Sequence, residues 1–315
     1  MAFTYGVKLP GFDNKKIWVN EITSKLYKDL VKSLYNNDST EFLYHLNQVI
    51  EHASPGILQG GLNAVDKIIL LLQIRSICIS PDLKLKATCT DTKKEFEYNI
   101  KIEDLLSKLE NISYIKTVTH ERITITHSIV KAIDEMHFVE LSADKLFSYQ
   151  LASCIDTILI NDKVVLFKNL KFNERLELIE NLPLTISTKV FESLTATEAE
   201  LSQLKLLVVP SPYSRNNVVD LPISTNTNVL LEFCKLIFND DLINLYKINL
   251  SLISKANFSP EYVDSITPAE QLLYWTLFVQ QTEKEHSEST ASSKPAGFNG
   301  NNPSNVGFKV PSEFT

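Results

Sequence analysis

Apolar and polar positions follow two periods along this chain, and each change of period marks a new element. From Ile22 the apolar residues recur at Leu26, Leu30 and Leu34, the spacing of one helix face, which predicts a helix over residues 19–35 behind an extended arm at residues 1–16. Asn36-Asn37-Asp38 breaks it, and Asp38 with Glu41 three residues on supplies an N-cap for a second helix over residues 42–52. Ser54-Pro55-Gly56 and Gly60-Gly61 mark a connection. Residues 68–72, all Ile or Leu, then run on through Ile74 and Ile77, with Asp66, Lys67, Gln73 and Arg75 as the strong polar residues. A helix that is apolar around most of its circumference needs cover on every side.

After Ser80-Pro81 the period falls to two. Residues 83–88 and 95–102 alternate across the turn 89–94, placing Phe96, Tyr98, Ile100 and Ile102 on one face, and a helix begins at Glu103-Asp104. A second hairpin is expected from residues 114–119 and 122–126 around His120-Glu121. Ser142 is the expected cap of a helix over residues 143–160, and Asn173 of a shorter one that Pro183 ends. Thr195 and Glu198 have the spacing of a capping box. Residues 204–223 form a further hairpin across a polar turn, and residues 229–239 and 242–254 are helical. Thr267-Pro268-Ala269-Glu270 combines an N-cap Thr, a Pro at the first helical position and a Glu two positions later, starting a helix that runs to about Gln281. From residue 283 the chain turns to Ser, Asn, Gly, Pro and Lys, a composition expected of a flexible tail. The pattern as a whole reads as an α+β fold. An extended arm at 1–16 precedes a helical part with hairpins at 17–141, a mainly helical part at 142–282 and a tail at 283–315.

Composition narrows the function by exclusion. At 315 residues, 44% hydrophobic and 22% charged, the chain can bury a sizeable core. A net charge of −7 argues against a broad nucleic-acid or anionic-membrane surface, because phosphate contacts need clustered Lys and Arg. No stretch reaches the roughly 18 uninterrupted apolar residues of a membrane span, and residues 1–13 lack the layout of a secretory signal. The four cysteines, Cys78, Cys89, Cys154 and Cys234, lie far apart in mostly apolar surroundings and read as buried free thiols.

The order apolar helix ending near an Arg (Arg75), hairpin with the turn Cys89-Thr90-Asp91-Thr92, later hairpin and C-terminal Pro-Ala-Glu helix resembles the baseplate hub assembly family of T4-like contractile-tailed bacteriophages. The likeness covers roughly residues 15–285 in order of elements. That family often carries Cys-x-x-Cys in the first turn; here Thr92 replaces the second thiol and residues 204–223 hold no cysteine, so no metal is expected. The resemblance implies a non-enzymatic assembly or structural protein, either a virion component or an assembly chaperone. It would be made in the host cytoplasm and bind other baseplate or tail hub proteins, with self-association left open.

Candidate chemistry is sparse. Eight glycines supply no P-loop, no G-x-G-x-x-G and no G-x-S-x-G, so the loops that cradle phosphate or expose a nucleophile are absent. His120-Glu121 has Thr124 where a helical zinc motif needs His, and His45 and His52 lie too far apart to share a metal. His127, Asp134, Glu135 and His137 form the densest polar cluster, and a metal-dependent or hydrolytic enzyme using the 127–137 region is the alternative reading. Phe147, Tyr149, Phe233 and Phe238 are expected in the core. No catalytic, cofactor or metal residue is assigned. Residues 271–279 carry apolar side chains around nearly the whole helix, which describes either a buried core helix or one with a face left for a partner. Tyr274, Trp275 and Phe278 are the expected partner-binding anchors.

Overall fold

The computed structural model describes residues 4–12, 15–36, 38–109, 112–138, 141–224 and 227–292. The extended arm is one side of a hairpin: β1 (Thr4–Lys8) pairs antiparallel with β2 (Lys16–Asn20), joined through a 3-10 turn at Pro10–Phe12. Val7, Leu9 and Val19 are buried, which fastens the hairpin to the body. The expected helix from residue 19 therefore begins later, as α1 (Ser24–Tyr35), capped by the Thr23 hydroxyl, which accepts from the Leu26 N–H. Ile17, Trp18 and Val19 are β-branched and aromatic residues that suit the pleated surface better than a helix start.

α2 (Ser39–Ala53) starts at the expected cap, where the Asp38 carboxylate accepts from the Thr40 and Glu41 N–H groups at 2.8 and 3.1 Å. α3 (Ala64–Cys78) is the apolar helix, capped by Asn63 and buried throughout 64–72. β3 (Asp82–Thr88) and β4 (Glu95–Lys101) pair in register from Asp82↔Lys101 to Thr88↔Glu95, and α4 (Ile102–Leu109) follows at once. Leu83, Leu85 and Ile100 are buried, with Phe96 and Tyr98 half-buried on the same core.

The middle of the chain departs most from the reading of its pattern. β5 (Lys116–His120) and β6 (Ile123–His127) form the second hairpin, but its turn is Glu121-Arg122, with Glu121 left-handed at φ 53°. The helix expected over residues 143–160 breaks in two: after a 3-10 turn, α5 (Leu146–Cys154) ends and β7 (Ile155–Ile160) begins. β7 turns into β8 (Lys163–Leu166) through Asn161 and Asp162, both left-handed, at φ 44° and 67°. Asn and Asp tolerate that conformation, and a two-residue turn of this kind matches the twist of a hairpin. The result is a four-stranded antiparallel sheet in the order β5-β6-β7-β8. α6 (Phe172–Glu180) takes Asn173 inside its first turn, with Lys171 at the cap, and Pro183 lies at the start of α7 (Leu184–Ser202). Thr195 caps nothing; it sits within α7 and its hydroxyl donates to the Phe191 carbonyl at 3.0 Å.

β9 (Lys205–Pro210) and β10 (Asn217–Pro222) form the later hairpin, and α8 (Thr227–Ile237), α9 (Leu242–Ser254), α10 (Pro260–Ser265) and α11 (Pro268–Ser292) complete the described chain. α11 continues past Gln281, so residues 283–292 are helical rather than tail; the rest of the expected tail, residues 293–315, lies outside the described residues. Three apolar clusters result. The largest surrounds α3 and takes in α1, α2, α4, α8 and the β9 strand; the second lies between the inner face of the four-stranded sheet and α5, α6 and α7; the smallest joins α9, α10 and α11. Among the described residues no helix is long and apolar enough to cross a membrane.

Candidate functional site

The α9–α11 cluster holds the residues expected to bind a partner. Its helix start forms as the sequence requires: the Glu270 carboxylate accepts from the Thr267 N–H at 2.8 Å while the Thr267 hydroxyl accepts from the Glu270 N–H at 3.1 Å. Gln271 is buried and donates to the Val263 carbonyl of α10. That contact fixes which side of α11 faces the body. Tyr274 and Trp275, three and four positions on, pack against Ile248, Leu252 and Val263. Tyr274 meets Phe258 and Tyr262 at ring separations of 5.4 and 6.4 Å, and Trp275 stacks on Phe278 at 5.9 Å. Tyr274 and Trp275 are therefore half-buried and hold α11 on α9 and α10, and Phe278 is half-buried beside Trp275.

The opposite face of α11 presents aliphatic side chains. Leu272, Leu273 and Leu277 are 42%, 55% and 52% exposed. A second stripe on α9, Ile243, Tyr246 and Leu250, is also exposed, at spacings of three and four residues. The sequence pattern missed both stripes, because a run apolar on all sides carries no phase to say which residues turn outward. The whole ledge is tied to the N-terminal part. The Ser24 N–H donates to the Ile266 carbonyl at 2.8 Å, Lys28 pairs with Asp264, and Arg75 of α3 grips Asp240 through two hydrogen bonds at 2.6 and 3.2 Å. The Tyr27 hydroxyl donates to the same Asp240 carboxylate.

The 127–137 cluster does not assemble as a catalytic group. His127 is fully buried in β6, where its Nε2 lies 2.9 Å from the Ser193 hydroxyl, and burial lowers its pKa from the ordinary histidine range. His137 instead stacks on Phe172 at 4.1 Å. The two acids are taken by other partners: Asp134 by a bidentate Arg175 at 2.7 Å on both arms, and Glu135 by Lys67. Each carboxylate is thus paired with a buried cation of its own, and breaking either pair would leave an uncompensated buried charge. Among the described residues Asp66 has no cation partner; it accepts from the Gly11 N–H, the Tyr114 hydroxyl and the Asn63 amide at 3.1, 2.8 and 2.7 Å. Burial pushes its pKa up to about 6 in spite of these donors. Gly11 is required there, since a β-carbon would lie 2.2 Å from the Asp66 Oδ2.

Cys89 lies where two turns meet. Its buried thiol is 3.8 Å from the Ser214 hydroxyl of the β9–β10 turn, the Asn216 amide donates to Asp91, and Tyr213 meets Phe96 edge-on at 6.1 Å. Hydrogen bonds from Ser211 and Thr92 lower the thiol pKa to about 6. The neighbours are hydroxyls, and among the described residues no three His, Cys, Asp or Glu side chains converge into a group able to hold a metal.

Residues 2–206 match the family model described as T4 bacteriophage base plate protein. The chain belongs to that family. Membership makes it a structural component of a bacteriophage baseplate. The match runs from the N-terminal hairpin to the start of β9, so it includes the α3 core and the four-stranded sheet; the α9–α11 ledge lies beyond it. No curated protein and no solved structure matches the chain.

Proposed function

We propose that this T4 baseplate family member acts at the baseplate hub without catalysing a reaction, by contacting other baseplate or tail hub proteins through the α9–α11 ledge. It would be made in the host cytoplasm and join the hub during assembly. Family membership supports the setting, and the exposed leucines of α11 are the observation that carries the surface. Leu272, Leu273 and Leu277 supply the outward apolar contact, and Tyr274, Trp275 and Phe278 supply the aromatic base that fixes its position and adds their exposed edges. Interfaces concentrate their energy in such apolar and aromatic anchors.

The test uses the full chain. Leu273→Asp with Leu277→Asp changes exposed positions only, so the melting temperature should stay within a few degrees of wild type, while co-purification with the baseplate proteins of the same phage should be lost. Unchanged co-purification of this double variant would move the interface elsewhere. Quantitative mass spectrometry of purified virions then separates a stoichiometric virion part from an assembly factor that leaves.

A further inference from the structure

The two faces of the N-terminal hairpin differ in character. The register from Thr4↔Asn20 to Lys8↔Lys16 sets Tyr5, Val7, Ile17 and Val19 on one face and Thr4, Gly6, Lys8, Lys16, Trp18 and Asn20 on the other. Val7 and Val19 are buried in the large cluster with Ile17 packed against it, so the first face fastens the hairpin to the body. The second face holds two lysines, an indole and no carboxylate. Trp18 is 59% exposed, whereas the other tryptophan, Trp275, packs on α9 and α10.

Neither the indole nor the lysine pair serves the fold. Lys8 lies directly opposite Lys16, and like charges in that relation destabilise a strand pair. An indole left in water forfeits the burial through which tryptophan stabilises a protein. The arrangement is nonetheless built in. Lys16 lies across Gly6, where a β-carbon would collide with its Cε, and its ammonium sits 4.6 Å from the centre of the Trp18 ring. The missing side chain at Gly6 is what lets Lys16 reach the indole from the end of the strand. The outcome is a preformed patch with an aromatic surface and two cations beside it.

We infer that this face binds an acidic segment of a neighbouring baseplate protein, with an apolar side chain of that segment on the Trp18 ring and its carboxylates on Lys8 and Lys16. Charge complementarity selects this occupant. The chain as a whole carries −7, so the two lysines are a local exception on a molecule that repels acidic surfaces elsewhere. Opposite charges set the register of such a contact and speed encounter, while a tryptophan at its centre supplies the binding energy. A nucleic acid fits less well, because phosphate contacts need many clustered cations and here two stand against the net negative charge. The contact lies on the hairpin and shares no residue with the α9–α11 ledge.

The test uses the full chain and a short fluorescein-labelled peptide in which glutamate alternates with leucine. Fluorescence anisotropy should show saturable binding that weakens about tenfold when glutamine replaces the glutamates, and that falls as salt is raised. Trp18→Ala should weaken it by about tenfold as well, and Lys8→Glu with Lys16→Glu should abolish it. Lys8→Gln separates binding from folding, since it removes the repulsion across the strands: affinity should drop several-fold while the melting temperature holds or rises. A melting temperature that falls with the affinity in Lys8→Gln would make the lysine a structural residue and overturn the inference. Absence of saturable binding would overturn it too, as would binding that survives both Trp18→Ala and the double lysine variant. Equal affinity for a single-stranded DNA of the same charge would also overturn it, because the lysines would then be serving any polyanion.

Discussion

α3 and α11 have nearly the same sequence character and opposite surroundings. Each contains a run with apolar residues around most of its circumference, 68–74 in one and 272–279 in the other. In α3 every residue from 64 to 72 is buried, including Asp66 and Lys67, while in the α11 run 271–280 only Gln271 is. α3 has α2, α4 and α8 around it, and its charged residues reach partners: Lys67 finds Glu135, Arg75 finds Asp240, and Asp66 finds three donors. α11 rests on α9 and α10 through one face and leaves three leucines of the other uncovered. An apolar circumference thus states that cover is needed, and the rest of the chain decides how much of it is supplied from within.

The sharpest way to break the comparison is to remove equal side chains from the two helices. Leu71→Ala, at a fully buried position in α3, should cost about 2–5 kcal/mol through lost burial and the cavity left behind. Leu273→Ala, at a 55% exposed position in α11, should stay within about 0.5 kcal/mol. Urea unfolding of both measures the difference; equal losses would mean that α11 is covered within the monomer.

A smaller effect separates the helices by pH. The folded-state pKa of Asp66, about 6, lies above the unfolded value near 3.8, so the folded protein holds this proton more tightly. The resulting stability is full below about pH 4 and is lost as pH rises through 6. At about 1.4 kcal/mol per pKa unit the swing is at most about 3 kcal/mol. Asp66→Asn should flatten stability between pH 4 and 6, whereas leucine substitutions on α11 should leave the slope as it is. A wild-type slope that survives in Asp66→Asn would assign the titration to another group.

The smallest effect is the most informative about function. Leu273→Asp with Leu277→Asp should change unfolding by no more than about 1 kcal/mol and still abolish partner binding, because exposed side chains add little to the fold and much to an interface. A large loss of stability in that variant would make the leucines part of the core.

Much of the fold was legible where a single residue type forces a local geometry. Asp38 and Thr267 lie at helix starts because their side chains satisfy N–H groups that the first turn leaves free. Strict alternation drew β3 and β4, and the limits of α9 follow from its apolar run between Asp241 and Lys255. The errors fell where local signals compete. Residues 146–160 form one apolar stretch, which periodicity alone does not divide into helix and strand, although Asn161-Asp162 between two β-branched runs was a hairpin signal. Thr195 with Glu198 has the spacing of a cap, yet α7 continues through it. At the candidate site, the apolar run of α11 was legible and its orientation was not: Tyr274 and Trp275 turn inward, and Leu273 and Leu277 outward.

By itself the sequence determined the α+β class, most helix starts, the β3–β4 hairpin and the presence of two helices in need of cover, since these depend on residues within a few positions of one another. The tertiary structure decided the rest. It joined β7 and β8 to β5 and β6, gave each acid of the 127–137 region its own cation, brought the Cys89 turn against Ser214, and chose which face of α11 meets the body. These outcomes depend on groups tens to hundreds of residues apart, as Arg75 with Asp240 does, and such contacts are fixed by packing and by the pairing of buried charge rather than by local pattern.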